Sequence, residues 1–261
     1  MKQAFKKSTQ LSIATVSEYR NAIFPVSKNL ETGDRQSNWG TFKVERSVGV
    51  TARHRDVLDA IIAKAIKKEY VPNSITRELE LHLLFDAKSV LDLLNTKADY
   101  RWLRKMLYDL QAMVISIQKK DGIWPESWSL VSYIGETLVD AERKPGQLKA
   151  KLKKIVLSPG AVKWMSENMK IIMDIKVLEK IFLLENEVSR AVARWFLSHA
   201  TSQNHGINSV LDAVGCNTET SKEIKRRISQ LENDSEILEA LGITLGANVN
   251  SKRIAGVSFK K

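Results

Sequence analysis

The sequence contains almost no cysteine and no long apolar run. Cys216 is the only cysteine among 261 residues, so an internal disulfide is excluded and a reducing compartment fits. No stretch approaches about 18 consecutive apolar residues, which argues against a membrane-spanning helix. Residues 1–20 include lysines but lack the apolar core of a signal peptide. We therefore expect a cytoplasmic protein without a membrane partner.

Motifs for catalysis and cofactor binding are also missing. There is no G-x-x-x-x-G-K-[ST] phosphate loop, so an intrinsic ATPase is not expected. No two histidines are separated by a single residue, which argues against the metal-binding pair of nicking enzymes. His199, His205 and Cys216 are a weak candidate for a zinc or thiol site, because there is one thiol and no CxxC motif. Structural or surface roles are favoured for all three.

The acidic residues show no catalytic pair. Carboxylates such as Asp56 and Asp59 are interpreted as surface charges and helix caps, spread along predicted helices. We therefore predict no enzyme activity and no cofactor.

Positive charge is what the sequence has in excess. There are 41 Lys and Arg against 30 Asp and Glu, which gives a formal net charge of +11. Clustered cations can replace the counterions around phosphates, so this balance favours a polyanionic partner. The alternative is simply a basic soluble protein. Hydrophobic residues make up 43% of the chain, enough to bury a core.

One short segment occurs twice. The letters SVLD stand at Ser89–Asp92 and again at Ser209–Asp212. In the first copy, Asp86 caps a predicted helix Ala87–Leu94, the polar turn NTKA follows, and a basic helix covers about Asp99–Met113. In the second copy, INSVLDAVG and the turn CNTE lead to a basic helix that begins near Thr220. The recurrence predicts a duplicated helix-turn-helix.

Strands are predicted around these helices. In the first half, a helix starts at Thr51 and ends before Pro72, and a half-buried strand covers Glu78–Phe85. Strands Val114–Gln118 and Trp128–Ile134 then form a hairpin. In the second half, we expect the following elements: a strand at the start of IVLSPG, a helix from Pro159, one long helix Ile175–His199, and strand ends Ile243–Leu245 and Ile254–Phe259.

This order of elements is that of the winged helix-turn-helix. We predict an α+β fold, mostly helical, with two tandem winged helix-turn-helix domains. The predicted division is an N-terminal arm (1–40), a first winged-helix domain (41–138), a basic linker (139–154) and a second winged-helix domain (155–261). The linker contains DAERKPGQLKAKLKK. A solvated surface turn is the alternative interpretation of its charge.

The outer faces of the two basic helices are the candidate DNA-binding site. A major groove admits one helix, and Arg can bind a guanine edge through two hydrogen bonds. In the first helix, the buried stripe is predicted to be Trp102, Leu103, Met106, Leu107 and Leu110. The predicted DNA-binding residues of the first domain are Lys97, Tyr100, Arg101, Arg104, Lys105, Lys119 and Lys120. Those of the second domain are Thr220, Ser221, Lys222, Lys225, Arg226, Arg227, Lys252 and Arg253.

Two alternatives remain open for these residues. A basic outer face on a single helix is most often only a solvated face, and the duplication is what favours DNA. RNA recognition usually needs aromatic residues interleaved with cations. Trp124 and Trp128 flank the first hairpin tip, but packing within their own domain is favoured over stacking on bases.

The arrangement resembles the plasmid replication initiator (Rep) proteins of the tandem winged-helix class, which bind directly repeated origin sequences called iterons. The resemblance covers roughly residues 40–261 and depends on order and spacing. The segments that carry it are VGVTARHRDVLDAI, DYRWLRKMLYDL, SYIGE, SRAVARWFLSH and INSVLDAVG with KEIKRRISQL.

The resemblance implies a function in plasmid DNA replication. Such proteins bind iterons through both domains, help to open AT-rich DNA, and recruit the host initiator and the replicative helicase. They also often form homodimers that repress their own promoter. On this basis Lys222, Lys225, Arg226 and Arg227 contact one half of a repeat. Arg101, Arg104 and Lys105 contact the other half or its backbone.

Two other functions stay open at this point. Tandem winged helices also occur in transcriptional regulators that have no origin role, since fold alone does not decide function. A protein–protein adaptor, in which these domains bind partners instead of DNA, is the third hypothesis.

Overall fold

The chain folds as α+β, as predicted. The structure, a computed structural model, describes residues 11–15, 23–27, 35–37, 40–46, 49–118, 126–139, 150–167, 170–199, 201–216, 218–247 and 254–260. The described helices are α1 (Ala52–Lys64), α2 (Ala87–Leu93), α3 (Tyr100–Gln111), α4 (Pro159–Glu167), α5 (Ile175–Leu183), α6 (Glu187–Leu197), α7 (Ile207–Ala213), α8 (Ser221–Asn233) and α9 (Ser235–Ala240).

The strands form four antiparallel sheets. They are β1 (Leu11–Thr15), β2 (Arg35–Ser37), β3 (Gly40–Arg46), β4 (Lys67–Pro72), β5 (Leu79–Phe85), β6 (Met113–Gln118), β7 (Glu126–Ser129), β8 (Val131–Val139), β9 (Ala150–Leu157), β10 (Lys170–Asp174), β11 (Gln203–Gly206), β12 (Ile243–Ala247) and β13 (Ile254–Phe259). The sheet orders are β1-β10, β2-β3-β6-β7, β4-β5-β9-β8 and β11-β13-β12. Within the described ranges, none of the helices has the length and apolar character that a membrane span requires.

Helix α1 lies at the centre of the core. Thr51 caps it, and His54 completes a capping box, which confirms the predicted start. Val57, Leu58 and Ile61 are buried, and α1 contacts α2 and α3 on one side and α5 and α6 on the other. Because a helix with neighbours on several sides has little solvent-facing surface, its polar residues are buried as well.

Both copies of the SVLD segment end in the same turn. Asn95 follows the end of α2 with φ 48°, and Gly215 follows the end of α7 with φ 71°. Each lies six positions after the first serine of its copy. Glycine and asparagine tolerate this left-handed conformation best. The next helix then begins just after the side-chain caps Asp99 and Thr220.

The two copies also lie in equivalent sheets. After β5, α2 and α3, the hairpin β8–β9 completes an antiparallel order β5-β9-β8. After β11, α7 and α8, the hairpin β12–β13 completes the order β11-β13-β12. We call these two sets of five elements the first unit and the second unit.

The first predicted hairpin is observed, but it is not the one equivalent to β12–β13. Strands β6 and β7 pair as expected. The predicted strand Trp128–Ile134 is, however, interrupted at Leu130, where the chain passes from the β6–β7 sheet to the sheet of β5 and β9. The hairpin that closes the first unit is therefore β8–β9.

The predicted boundary between the linker and the second domain runs through regular structure. The predicted linker extends to residue 154, but the chain is strand from Ala150, because β9 pairs with both β5 and β8. The second domain was predicted from residue 155. Helix α4 instead packs on β5 and β7, and Trp164 lies 6.1 Å from Trp128 between ring centroids. Residues 150–167 thus belong with the first unit.

Part of the predicted N-terminal arm is buried. Ile23, Phe24 and Val26 are almost inaccessible to solvent. The amide of Val26 donates to the carbonyl of Val214 at 3.2 Å, and the amide of Ala52 donates to the carbonyl of Pro25 at 3.0 Å. Residues 23–27 therefore connect the start of α1 to the turn of the second unit.

Two helix predictions are corrected by the structure. The helix that starts after Thr51 ends at Lys64, and β4 replaces its predicted last turns because it pairs with β5. The predicted long helix Ile175–His199 is two helices, α5 and α6. The break occurs where Asp234 accepts hydrogen bonds from the amides of Glu185 (2.9 Å) and Asn186 (3.0 Å).

Candidate nucleic-acid interface

Helix α3 buries the predicted apolar stripe. Leu103, Met106, Leu107 and Leu110 are buried, and Trp102 is partly buried against the same core. Asp99 fixes the start of the helix by accepting the amide of Trp102 at 2.9 Å. The orientation of α3 is thereby set, and its other face is left to solvent.

The solvent face of α3 is basic and aromatic. Arg101, Arg104 and Lys105 are exposed there. Tyr100 and Tyr108 are 56% and 54% exposed, large fractions for aromatic side chains. Lys97 is exposed in the preceding turn. The structure thus brings the described predicted residues of the first domain to one helix and its leading turn.

A groove separates this face from the hairpin β8–β9. The residues that line it are Ala87, Tyr100, Arg101, Leu103, Arg104, Leu107, Tyr108, Ile134, Gly135, Glu136 and Lys153. Lys153 forms an ion pair with Glu136, and Lys154 Nζ lies 5.7 Å from the centroid of the Tyr133 ring. These two lysines were predicted to lie in the linker and were missed as site residues. The alternation of apolar and basic residues in AKLKKIVL is the signal that could have identified a strand.

Lys105 is bound to a buried carboxylate. Its Nζ donates to Asp109 Oδ2 at 2.7 Å, and His54 Nε2 lies 3.2 Å from the same oxygen. His54 Nδ1 accepts the amide of Thr51, so its proton is on Nε2 and points to Asp109. Burial alone would raise the pKa of Asp109, but the hydrogen bonds from Lys105 and His54 outweigh it and lower the pKa below 3.8. Asp109 is therefore ionised, and its negative charge partly neutralises the positive charge of Lys105.

Burial makes folding sensitive to the protonation of His54. Burial lowers the pKa of His54 below 6.5, although the hydrogen bond to Asp109 acts in the opposite direction. Between the lowered pKa of the folded state and 6.5, the unfolded chain binds this proton more than the folded chain does. We expect the free energy of unfolding to be unaffected by His54 above pH 6.5, where the side chain is neutral in both states. On acidification below that pH, it should fall by at most about 1.4 kcal/mol per pH unit. Urea unfolding from about pH 7.5 to 5.5 measures this.

The matched variant for this measurement is His54→Gln, since Gln at this position keeps a capping box but does not titrate. Its stability should vary less with pH over the same range. Equal pH slopes for the variant and the wild type would show that His54 is not the group responsible.

Helix α8 presents a second basic face. Leu231 is fully buried, and Ile224 and Ile228 are partly buried against the core. The exposed predicted residues are Thr220, Ser221, Lys222, Lys225 and Arg226. The hydroxyl of Thr220 accepts the amide of Glu223 at 3.2 Å, so its observed role is that of a helix cap.

The two arginines of α8 differ in their surroundings. Arg226 is more than half exposed and pairs with Glu223 at 2.7 Å, one turn earlier. An exposed pair of this kind is weak enough to yield to a stronger anion. Arg227 is partly buried and donates to Gln230 Oε1 at 3.1 Å. Arg226 is thus the arginine of α8 that is better placed to contact a ligand.

Some predictions about the hairpin tips fall outside the described residues. These are Lys119, Lys120, Lys252 and Arg253, together with Trp124. Trp128 is described, and it packs within the protein: its ring lies against Trp164 and against Gly160, where an added Cβ would come within 2.5 Å of the ring. Packing, the favoured interpretation of Trp128, is confirmed.

The weak zinc or thiol candidate is a packed cluster. His199 and His205 lie 4.4 and 4.9 Å from the Trp195 ring between centroids. Cys216 is buried, and burial raises the pKa of its thiol to about 12, so it is protonated at neutral pH. Among the residues that the structure describes, no group of three or more His, Cys, Asp or Glu could hold a metal ion.

A cluster of buried charges was missed by the sequence analysis. Asp56 and Asp59 of α1, predicted at the surface, are buried and face arginines of α6. Arg194 lies 2.7 Å from Asp56 and 2.9 Å from Asp59, and Arg190 Nε donates to Asp56 at 2.8 Å. Arg55 pairs with Asp59 at 2.6 Å. The cluster joins the helices that precede the first and the second unit.

The geometry therefore offers two exposed basic helices on one continuous core. A scan against protein-family models gives no match for this chain, and comparisons with curated proteins and with solved structures give none either.

Proposed function

We propose that the protein binds double-stranded DNA sequence-specifically through the outer faces of α3 and α8. The observation that carries the proposal is the repeated topology. A helix, a strand, two helices and a hairpin occur in this order as α1, β5, α2, α3, β8–β9, with β4 and β6–β7 inserted between them, and again as α6, β11, α7, α8, β12–β13, with α9 inserted before the hairpin. This order supports a winged helix-turn-helix, in which the second helix of the turn enters the major groove.

The chemistry of both faces supports a phosphate-rich partner. Each helix carries exposed Arg and Lys and buries an apolar stripe on the other side. Exposed Arg101, Arg104 and Arg226 are the candidates for hydrogen bonds to guanine edges. The lysines are the candidates for phosphate contacts, which position a protein without specifying sequence. The net charge of +11 adds to the attraction.

Within this function, we favour a plasmid replication initiator that binds direct repeats at an origin. The resemblance to the Rep class supports that role and would add the host initiator and the replicative helicase as partners. It also suggests a homodimer that represses its own promoter. A transcriptional regulator with the same two units is the second candidate. Direct repeats of about 20 base pairs beside an AT-rich segment would favour the origin, whereas one palindrome over a promoter would favour the regulator.

Selection of bound fragments from random and source-derived duplex DNA tests the proposal. We expect one sequence class to be enriched, and its affinity to fall steeply with salt, by about 10³–10⁵ between 50 and 200 mM if six to ten phosphates are contacted. An affinity that ignores salt, or no enrichment at all, would contradict the proposal. Specific capture of a protein partner would then favour the adaptor.

Substitution of Arg226 tests the second recognition helix. We expect Arg226→Ala to reduce discrimination between the selected duplex and a scrambled one by about 1–3 kcal/mol, because one base contact is lost. Glu223→Ala is the matched control, since it removes the other half of the observed ion pair and keeps the cation. Fluorescence anisotropy at fixed salt gives both affinities. Unchanged discrimination in Arg226→Ala would remove this residue from the base-contacting set.

A further inference from the structure

A set of mainly buried polar contacts links one basic helix to the other, and the backbone of α1 and of residues 184–186 completes the connection. We call it the polar bridge and define it by these residues: Asp109, His54, Asp56, Asp59, Arg194, Arg190 and Asp234. Each of the seven is at most 8% exposed. Together they are more than half of the buried charged or polar residues found in the described part of the chain.

The first part of the bridge ties α3 to α1. Asp109 lies on the third turn of α3, and its carboxylate is 3.2 Å from His54 Nε2 on the first turn of α1. From His54 the bridge continues along the same helix to Asp56 and Asp59. There it passes to α6 through Arg190 and Arg194, at the distances given above.

The second part ties α6 to α8. Arg190 Nη1 donates to the carbonyl of Leu184 at 2.6 Å, in the segment between α5 and α6. In the same segment, the side-chain amide of Asn186 donates to Asp234 at 3.0 Å and to the carbonyl of Gln230 at 3.1 Å. Gln230 lies in the last turn of α8, and Asp234 caps its end. The bridge therefore holds the C-terminal end of the second basic helix.

Directional contacts of this kind fix a geometry more tightly than apolar packing does. A hydrogen bond is lost when its atoms move by about 0.5–1 Å, and a buried charge left without its partner is strongly unfavourable. Apolar side chains can slide by similar amounts and remain in contact. The relative position of α3 and α8 is consequently restricted to the one that keeps these pairs together.

From this arrangement we infer that the polar bridge sets the number of base pairs between the two half-sites that the protein accepts. The inference rests on the proposed function. One inserted base pair moves a half-site by about 3.4 Å along the duplex and rotates it by about 35°. Both displacements exceed what the bridge tolerates. The residues of the bridge are therefore positioning residues that determine specificity without contacting DNA.

The test measures affinity against spacing. Duplexes that carry both selected half-sites are prepared with the natural spacing, and with the spacing lengthened or shortened by one, two or five base pairs. We expect the wild type to lose about tenfold or more in affinity for a change of one base pair, since one helix loses a base contact. We expect the double variant Asp56→Leu, Arg190→Met to lose less than about threefold. This variant removes one cation and one anion and keeps apolar volume.

Control variants make the result interpretable. Lys67→Met with Glu69→Leu removes a pair of similar length, 2.6 Å against 2.8 Å for Arg190 and Asp56, that is partly exposed on β4, and should keep the wild-type profile. Asn186→Ala is a second test variant, for use if the double variant does not fold. It removes only the side-chain hydrogen bonds to Asp234 and Gln230 and should also broaden the dependence of affinity on spacing. Thermal melting verifies that each variant is folded.

Three results would overturn the inference. A wild type that binds the selected half-sites with equal affinity at every spacing contradicts it and leaves the proposed function intact. Folded bridge variants with the sharp wild-type optimum assign the spacing to other contacts. A wild type that binds no duplex removes the proposed function and the inference together.

Discussion

Replacement of Asp59 by alanine should lower the free energy of unfolding by about 3–5 kcal/mol, among the largest effects expected of any single substitution in this chain. Asp59 is 0% exposed and pairs with Arg55 at 2.6 Å and with Arg194 at 2.9 Å. Without its carboxylate, Arg190 and Arg194 share the carboxylate of Asp56, and Arg55 loses the anion with which it pairs. Water cannot reach them to compensate, so each retains part of its desolvation cost.

Arg194→Ala should be less harmful, although Arg194 is buried to a similar extent at 2% exposure. Its removal leaves Arg55 paired with Asp59 and Arg190 paired with Asp56, so the charges still balance. Urea unfolding monitored by tryptophan fluorescence gives both values. Glu69→Ala breaks a partly exposed pair and should cost no more than about 1 kcal/mol. If Asp59→Ala were as mild as Glu69→Ala, the cluster would not be buried as described.

The second large effect is expected for DNA binding. The double variant Arg101→Ala, Arg104→Ala should weaken binding to the selected duplex by about 2–6 kcal/mol, which is about thirtyfold or more. Both arginines are exposed on the solvent face of α3 beside the β8–β9 groove, so the fold should not depend on them. Their loss removes contacts to bases or phosphates and two positive charges. Anisotropy titrations at constant salt measure the change.

The matched control removes two charges from elsewhere. Lys176 and Lys180 are exposed on α5, which belongs to neither unit. Lys176→Ala with Lys180→Ala should change affinity much less, through the overall charge alone. Similar losses in the two double variants would mean that α3 has no special role.

Local sequence predicted the basic helices well. The apolar stripe of α3, the cap Asp86 and the turn after each SVLD copy all depend on residues within one or two helical turns. Side chains three or four positions apart share a helix face, so periodicity alone identifies the side that is buried. The same argument gave the exposed cations that form the candidate site.

Long-range contacts explain the errors. Asp56 and Asp59 look like solvent-facing residues of an amphipathic helix, because the arginines that bury them lie 134 and 135 residues away. Likewise, the break between α5 and α6 is held by Asp234, 48 and 49 residues later. No local pattern contains such partners.

The predicted linker fails for a related reason. Its last five residues, 150–154, are rich in lysine, and their composition resembles a solvated loop. They belong to β9, together with the strand predicted at the start of IVLSPG, because β5 and β8 both pair with β9. Strand preference depends strongly on such neighbours. The consequence for the site is that the hairpin beside α3 is β8–β9, and that Lys153 and Lys154 join the basic surface.

The buried residues Ile23 to Ser27 bear on how the protein is made. Its hydrogen-bond acceptors, the carbonyls of Val214 and Gly215, are synthesised about 190 residues later. Until then, Ile23, Phe24 and Val26 cannot be buried as they are in the folded protein. The nascent chain must keep these apolar side chains from aggregating while it waits. The docking of this segment therefore waits until residues 214 and 215 have been synthesised, and a chain that terminates before residue 214 cannot make these contacts.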